Sequence, residues 1–296
     1  METISQLGTP IEGRRPVTHM DRARAVLSDS AGAGLRRGAA SRPFFMRQEP
    51  DTPLALVPPE AGAVLERGLD QSSLSVLHDF HEAEGRPFCI RAADSAGQRS
   101  SANVLVRKMY AWRGYEVGGD ASAPSAPKGI TLLASDNHST VGTITIGFDN
   151  HEGLLVDDLF SEEVDSLRRE GRKVCEFTKL AIDGVIRSRR LLASLFHVAY
   201  LFAHRINHAD CLMIEVNPRH VRYYERVLGF KALGPERLNR RVNAPAVLLC
   251  LELSHARRQI ALFAGMADRA VGEKSLYPYF FSPEEEAGII ARLMRR

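Results

Sequence analysis

The sequence predicts an α/β fold in which a mixed, twisted central sheet carries helices on both faces, after a largely irregular N-terminal arm. Residues 86–254 alternate between apolar strand-like runs and amphipathic helical runs, in the order β-α-β-β-(α)-β-α-β-α-β. Two of these strands, at 174–182 and 211–216, are joined through a helix, which predicts parallel neighbours with a right-handed crossover. Residues 1–85 are instead rich in Gly, Pro, Ser and Arg, with weak periodicity.

We therefore expect three parts: a flexible or partly helical extension at 1–85, the α/β domain at 86–254, and C-terminal helices at 255–296 packed on that domain. Apolar residues at helical spacing predict a short helix at 59–81 within the extension.

The elements of the α/β domain follow from periodicity and from local start and stop signals. Strands are predicted at 87–94, 130–135, 140–148, 174–182, 211–216 and 245–253. Helices are predicted at 97–114, 157–171, 188–208 and 218–229, with two more after 254. Pro218 in the first turn and Gly229 at the end are typical of a helix start and stop, and Ser188 is a good N-cap.

Composition and charge exclude several classes of protein. The formal net charge of +3 is too small for a nucleic-acid binder, and 44% hydrophobic residues is an ordinary globular value. Cys89, Cys175, Cys211 and Cys250 form no CxxC pair and have no metal-ligand spacing, so they are predicted to be reduced and to bind no metal. No signal peptide is evident, and the apolar helix at 191–202 is shorter than the ~20 residues that cross a bilayer. We expect a cytoplasmic protein without a transmembrane segment.

A carboxylate stands near the middle of the apolar stretch "VCEFTKLAID", at 174–183. Burying an isolated carboxylate costs several kcal/mol, so Glu176 needs a partner or a function. Strand alternation puts Glu176 and Thr178 on one face. Two interpretations remain: a functional carboxylate, or a buried ion pair with Arg107, Lys108 or Arg113.

The next predicted parallel strand also ends in polar residues. Met213, Glu215 and Asn217 share one of its faces. Ligands of open α/β sheets usually bind at the C-terminal ends of the strands, which favours a site there. For Glu215 itself, pairing with a cation is the favoured interpretation.

The turn after Asp183 places three cations, Arg187, Arg189 and Arg190, around the predicted helix start at Ser188. Cations at a helix N-terminus oppose the helix dipole, whereas free N–H groups there bind anions. The turn is therefore either a phosphate site or a solvated basic turn.

Two segments resemble a known family. The strand "EFTKLAID" at 176–183 is similar to the E-x-[ST]-[KR]-[LF]-x-[VI] strand of acyl-homoserine-lactone synthases. Together with "VNPRHVRYYERVLGF" at 216–230, it resembles more closely the FeeM-type N-acyl amino acid synthases. The element order resembles the GNAT acyltransferase superfamily over roughly 87–253, which implies a GNAT-like fold.

The resemblance implies an acyl transfer from a thioester to the amine of an amino acid. Acetyl-CoA-dependent GNAT members carry Q/R-x-x-G-x-G/A in the turn before the long helix, and this turn lacks the two closing glycines. A single phosphopantetheine phosphate on an acyl carrier protein fits the turn better than the pyrophosphate of CoA. No permanently bound cofactor is expected; the donor substrate is acyl-phosphopantetheine, with acyl-CoA as the alternative. Because carrier proteins are acidic, the arginines would also steer this partner.

The resemblance also implies roles for individual residues. Glu176 would accept the amine proton directly or through a water, and Tyr223 or Tyr224 would protonate the departing thiolate. Residues at the strand ends and in the basic turn would bind the acyl donor: Thr178, Arg187, Ser188, Arg189, Arg190 and Asn217. Acceptor binding falls to three basic residues: Lys179, Arg219 and His220.

Three alternatives stay open at this point. One is an acyl-homoserine-lactone synthase, a second is an acetyl-CoA-dependent N-acetyltransferase, and a third is a catalytically silent GNAT module that binds acyl carrier protein. A lipid product is compatible with peripheral association at a membrane.

Overall fold

The computed structural model describes residues 54–57, 87–115, 129–136, 139–183, 188–270 and 274–294. Its strands are β1 Ala55–Val57, β2 Phe88–Ala92, β3 Gly129–Asp136, β4 Ser139–Phe148, β5 Val174–Ile182, β6 Cys211–Val216, β7 Lys231–Ala232, β8 Arg237–Asn239 and β9 Ala244–Glu252. Its α-helices are α1 Ala96–Trp112, α2 Asp157–Arg169, α3 Arg189–Tyr200, α4 Val221–Leu228, α5 Leu253–Phe263 and α6 Pro283–Met294. None of these helices has the length and hydropathy that a membrane span requires.

The strands form one mixed sheet in the order β1-β2-β3-β4-β5-β6-β9-β7, and β8 pairs with β9. The pair β5–β6 is parallel and the other pairs are antiparallel. The predicted parallel neighbours and the mixed α/β class are therefore confirmed. Since α3 connects β5 to β6, the crossover puts the start of α3 next to the C-terminal end of β5.

Helices cover both faces of the sheet, as the nearly continuous apolar runs of the inner strands predict. On one face, Phe177 of β5 packs with α3, where Phe196 lies 6.0 Å from its ring. On the other face, Val174 of β5 packs with Phe160 of α2, and Ala181 packs with Met109 of α1. Glu176 lies two residues after Val174 and so faces the side of α2.

The parallel strands separate immediately after Glu176. β5 pairs with β6 only through Val174–Glu176, which lie opposite Cys211–Met213. Both strands continue beyond this point, β5 to Ile182 and β6 to Val216. The sheet therefore has a gap on the C-terminal side of Glu176, where no strand of the described residues pairs with β5 on its β6 side.

A β-bulge in β5 accompanies this gap. Thr145 lies opposite Thr178 and Thr143 opposite Ala181, so β5 has one residue more than β4 between these pairs. Lys179, inside the bulge, has a φ of +52°. The side chains of β5 alternate between the two faces of the sheet as far as Thr178. Beyond it the extra residue shifts this alternation, so Ala181 lies on the same face as Glu176.

Other expectations need correction. The short strands β1, β7 and β8 were not predicted, since two or three residues carry no periodicity, and β1 lies within the arm expected to be irregular. Val104 and Trp112 lie on the solvent side of α1 and are 64% and 61% exposed. The long helix changes after Tyr200 into a π-helix, Leu201–Ile206. The predicted helix at 59–81 lies outside the described residues.

Candidate active site

Two backbone amides hold the carboxylate of Glu176. Its Oε1 accepts a hydrogen bond from Leu155 N–H and its Oε2 accepts one from Val156 N–H, both at 3.0 Å. The residue is 1% exposed, and this burial raises its pKa to about 7 although the two amides favour the ionised form. The ion-pair interpretation is therefore wrong for Glu176: no described Arg or Lys contacts it, and Lys108 pairs with Asp183 at 3.0 Å instead.

Gly147 of β4 makes room for this carboxylate. It lies directly opposite Glu176 in the sheet, and a Cβ at Gly147 would lie 2.8 Å from both Cγ and Oε1 of Glu176. The two amides prevent the carboxylate from swinging away, so any side chain at Gly147 forces a change at Glu176.

We expect Gly147→Ala to lower turnover by roughly 10- to 100-fold, because displacing a catalytic group by about 1 Å costs rates of this order. Steady-state kinetics of the acyl transfer that the family resemblance implies measures the effect. Gly142→Ala is the matched control, since its Cβ would meet the flexible tip of Leu195 on the other face of the same strand, at 2.9 Å. Equal losses of activity in the two variants would contradict the assignment.

Arg241 links the second carboxylate to the loop that holds the first. Its Nη2 donates to both oxygens of Glu215, at 2.9 and 3.0 Å. Its Nη1 donates to the backbone oxygen of Leu155, at 2.9 Å, and to Asp158, at 3.0 Å. Burial raises the pKa of Glu215 and the charge of Arg241 opposes that rise. The expected pairing of Glu215 with a cation is confirmed, and its partner is 26 residues away along the chain.

Tyr223 and Tyr224 lie half-buried on α4, beside the gap. The ring of Tyr224 packs at 6.4 Å from Phe196 and at 5.9 Å from Phe230. Burial raises the pKa of Tyr224 to about 12 and also raises that of Tyr223, so both phenols remain protonated at neutral pH. Each is therefore able to donate a proton or a hydrogen bond.

The start of α3 has the predicted cap. The hydroxyl of Ser188 accepts a hydrogen bond from Leu191 N–H at 3.3 Å. The guanidinium of Arg189 lies 5.9 Å from the ring centre of Tyr279. Arg190 lines a cavity of about 170 Å³ together with Ser194, whose buried hydroxyl has no partner among the described residues. Arg187 lies outside the described residues.

The remaining donor candidates lie at the strand ends. Thr178 lies opposite Thr145, at the start of the bulge. Asn217 follows β6, and its Oδ1 accepts a hydrogen bond from Arg219 N–H at 3.2 Å. Asn217 thus caps the short 3-10 turn at Pro218–His220, so its side chain orients backbone.

The acceptor candidates fall into two places. Arg219 and His220 lie together, with Arg219 Nε donating to His220 Nε2 at 3.2 Å. Lys179 lies in the bulge of β5. Sequence reasoning missed the contact of Arg219 with Tyr115, just after α1, because no local signal joins residues about one hundred positions apart.

Among the described residues, one group of metal-ligating atoms lies at the other end of β6. The donor atoms of Cys211, Cys250 and Glu252 lie within 4.8 Å of one another. The two cysteines are 39 positions apart, and the pairing of β6 with β9 brings them together. The carboxylate of Glu252 is already ion-paired with Arg172, and the group takes no part in the chemistry proposed below.

Comparisons with known proteins identify the family. The family model described as N-acyl amino acid synthase FeeM matches residues 101–252, just over half of the 296 residues. The solved structure of FeeM, an N-acyl amino acid synthase from uncultured soil microbes, is 30% identical with a TM-score of 0.53, over 58% of this chain and 93% of that chain. A search of curated protein sequences finds no match.

More distant structures are also similar. An acyl-CoA N-acyltransferase from Pseudomonas aeruginosa is 14% identical with a TM-score of 0.39, over 55% of this chain and 97% of that chain. The AHL synthase LasI is 14% identical with a TM-score of 0.39, over 57% of this chain and 91% of that chain. This chain is therefore an acyltransferase and belongs to the FeeM family of N-acyl amino acid synthases.

Proposed function

We propose that this chain transfers a long-chain acyl group from the thioester of an acyl carrier protein to the amine of an amino acid, forming an N-acyl amino acid. The observation that carries the proposal is Glu176, a buried carboxylate with a pKa of about 7 at the residue where β5 and β6 separate. A base of this pKa is half ionised near neutral pH, where general base catalysis is most effective.

In the proposed reaction the amine nitrogen attacks the thioester carbonyl, a C–N bond forms, and the C–S bond breaks. Glu176 receives the proton that the nitrogen loses. Because Glu176 is 1% exposed and both its oxygens accept backbone amides, we assign this transfer to a bridging water. Tyr223 or Tyr224, both protonated at neutral pH, donates a proton to the departing sulfur, which leaves as the thiol; the phenol then regains a proton from solvent as Glu176 releases its own.

Backbone N–H groups of β5 would stabilise the tetrahedral intermediate. Beyond Glu176 the strand has no partner on its β6 side, so N–H groups directed into the gap are available to an oxyanion. The bulge at Lys179 changes the direction of these groups at the level of Thr178. This arrangement supports an acyl carbonyl lying in the gap.

The donor would approach from the start of α3. The N-terminus of this 12-residue helix, together with Arg189 and Arg190, favours a single phosphate. Thr178 and Asn217 would flank the pantetheine arm, and Arg187 would add charge for an acidic carrier protein. We assign the reaction to residues 86–254, with 255–296 packed on that domain and 1–85 as an extension.

The test uses purified full-length protein, a long-chain acyl carrier protein or the matching acyl-CoA, and the proteinogenic amino acids, with products identified by mass spectrometry. We expect N-acyl amino acids as the products, and a higher kcat/KM with the acyl carrier protein than with acyl-CoA. The double variant Arg189→Ala/Arg190→Ala should lower kcat/KM for the carrier protein by about tenfold at low salt and by less at high salt. Arg257→Ala, exposed on α5, is the control and should change neither value.

Each of the other outcomes rejects part of the proposal. Equal use of acyl-CoA, without an effect of the arginines, would reject the carrier protein as the donor. If the enzyme forms acyl-homoserine lactones when S-adenosylmethionine is supplied, the amino acid is rejected as the acceptor. A protein that binds the acyl carrier protein but forms no amide with any amino acid would be a silent module.

A further inference from the structure

A cluster of cationic and aromatic groups forms where the end of α1 meets the start of α4. Arg219 Nη2 donates to the hydroxyl of Tyr115 at 3.0 Å, and its guanidinium lies 5.7 Å from the centre of that ring. The same guanidinium contacts His220 through Nε, at 3.2 Å. The ring of Tyr115 packs edge-on at 5.9 Å from that of Tyr110. These contacts hold the guanidinium of Arg219 in one orientation.

Arg113, the C-cap of α1, brings a second guanidinium to this cluster. Its Nε is buried, and no described residue accepts a hydrogen bond from it. The backbone N–H of Arg113 donates to the carbonyl of Tyr110, which places Arg113 next to the Tyr110–Tyr115 pair, and its charge acts on the pKa values of Tyr110, Tyr224 and His220. A buried guanidinium N–H without a partner is costly, so this one calls for a hydrogen-bond acceptor from outside the fold, a water or an anion.

The cluster has an excess of positive charge. Burial and the charges of Arg219 and Arg113 lower the pKa of His220 to about 4, and no carboxylate is among these causes. His220 is therefore neutral at pH 7, and the net charge comes from the two guanidinium groups. Glu215, whose charge reaches Tyr110, is already neutralised by Arg241. The described residues thus provide two cations at this place and leave the counter-ion to a ligand.

The cluster lies within electrostatic reach of the proposed base. The charges of Arg113, Glu215 and Arg241 all act on Tyr110. The charges of Glu215 and Arg241 also act on Glu176. Arg241 also donates to the backbone oxygen of Leu155, whose N–H holds Glu176, so this ion pair connects the surroundings of the cluster to the proposed base.

We propose that Arg113 and Arg219 bind the α-carboxylate of the acceptor, so that the enzyme selects amines bearing a free carboxylate. This inference rests on the proposed function and names the groups that recognise its acceptor. Guanidinium groups match a carboxylate with paired N–H donors, and Arg113 offers a buried N–H whose hydrogen bond no described residue accepts. The α-amine of an acceptor held here would lie towards the gap, where the thioester carbonyl is proposed to bind.

The test compares an amino acid with its α-carboxamide as acceptor in the full-length enzyme, with saturating acyl donor. Wild-type enzyme should show a KM for the amino acid about 10- to 100-fold below that for the carboxamide. Arg113→Gln should raise the KM for the amino acid by a similar factor and leave the KM for the carboxamide within about twofold. Arg113→Lys should recover part of the loss, since it keeps the charge without the paired donors. Arg222→Gln, exposed on α4, is the matched control and should change neither KM.

The outcomes separate this inference from the proposed function. If wild-type enzyme acylates the carboxamide as well as the amino acid, the function stands and the carboxylate site is rejected. The same holds if Arg113→Gln raises both KM values equally while its thermal unfolding matches the wild type. If wild-type enzyme acylates neither compound, the proposed function fails and this inference fails with it.

Discussion

Glu176→Gln should lower kcat for amide formation by roughly 10²- to 10⁴-fold, because the amide side chain does not accept the amine proton. Donor binding, measured by titration with acyl carrier protein, should stay near the wild-type value, since the helix start at Ser188 is unchanged. The wild-type kcat/KM should rise with pH and level off above about 7, as the carboxylate ionises. In the variant this acidic limb should disappear.

Glu215→Gln is the control for this result. It also removes a buried carboxylate on the same face of the sheet, but one that Arg241 pairs with. We expect it to keep the acidic limb of the pH profile. A Glu176→Gln enzyme that retained turnover and the same limb would show that another group is the base, and would remove the main support for the mechanism.

Glu176 should also make the stability of the folded protein depend on pH. Its pKa is raised from an ordinary 4.5 to about 7 in the folded protein, so between these values the folded state binds more protons than the unfolded state. The contribution of Glu176 to stability is therefore complete below pH 4.5 and is lost as the pH rises to about 7. In urea unfolding across this range, stability should fall more steeply with pH in wild type than in Glu176→Gln. The variant should also lose about 1–3 kcal/mol, because its NH₂ group faces one of the two amide donors.

Arg241→Met should reduce the free energy of unfolding by roughly 2–4 kcal/mol. Removing one partner of a fully buried ion pair lowers the free energy of unfolding by more than this amount. The loss is smaller here because the Arg241 side chain is 37% exposed and solvent screens part of the effect. The change leaves Glu215 without its cation and releases the Leu155 carbonyl. Turnover should fall as well, since Leu155 N–H is one of the two donors that hold Glu176.

A double-mutant cycle identifies the cause of this loss. If the unpaired charge of Glu215 is responsible, Glu215→Gln combined with Arg241→Met should be less destabilised than the sum of the single variants, by about 1–3 kcal/mol. Arg240→Met, at the exposed neighbouring position, is the control and should change stability by less than about 0.5 kcal/mol. Additive effects in the cycle would contradict the assignment of Arg241 as the partner of Glu215.

Periodicity and local caps predicted most of the fold because they are short-range properties. The inner strands, α1 to α4 and the Ser188 cap depend on residues within a few positions of one another. The order of elements then restricted the topology, since a strand–helix–strand unit almost always makes parallel neighbours with one handedness. The two-residue and three-residue strands have no such local pattern, and they form because β9 and β2 offer edges to pair with.

The sequence by itself determined the sheet class, the family resemblance and the position of a carboxylate inside an apolar strand. Only the tertiary structure decided what surrounds that carboxylate: two amides before α2, an opposing glycine on β4, and a gap where β6 departs. The tertiary structure likewise decided that Arg241 pairs with Glu215 and that the charges of Arg113 and Arg219 both act on His220. The physical reason is that hydrogen bonds and charge–charge effects depend on distance in space, and the sheet brings together groups that the chain keeps 20 to 107 positions apart.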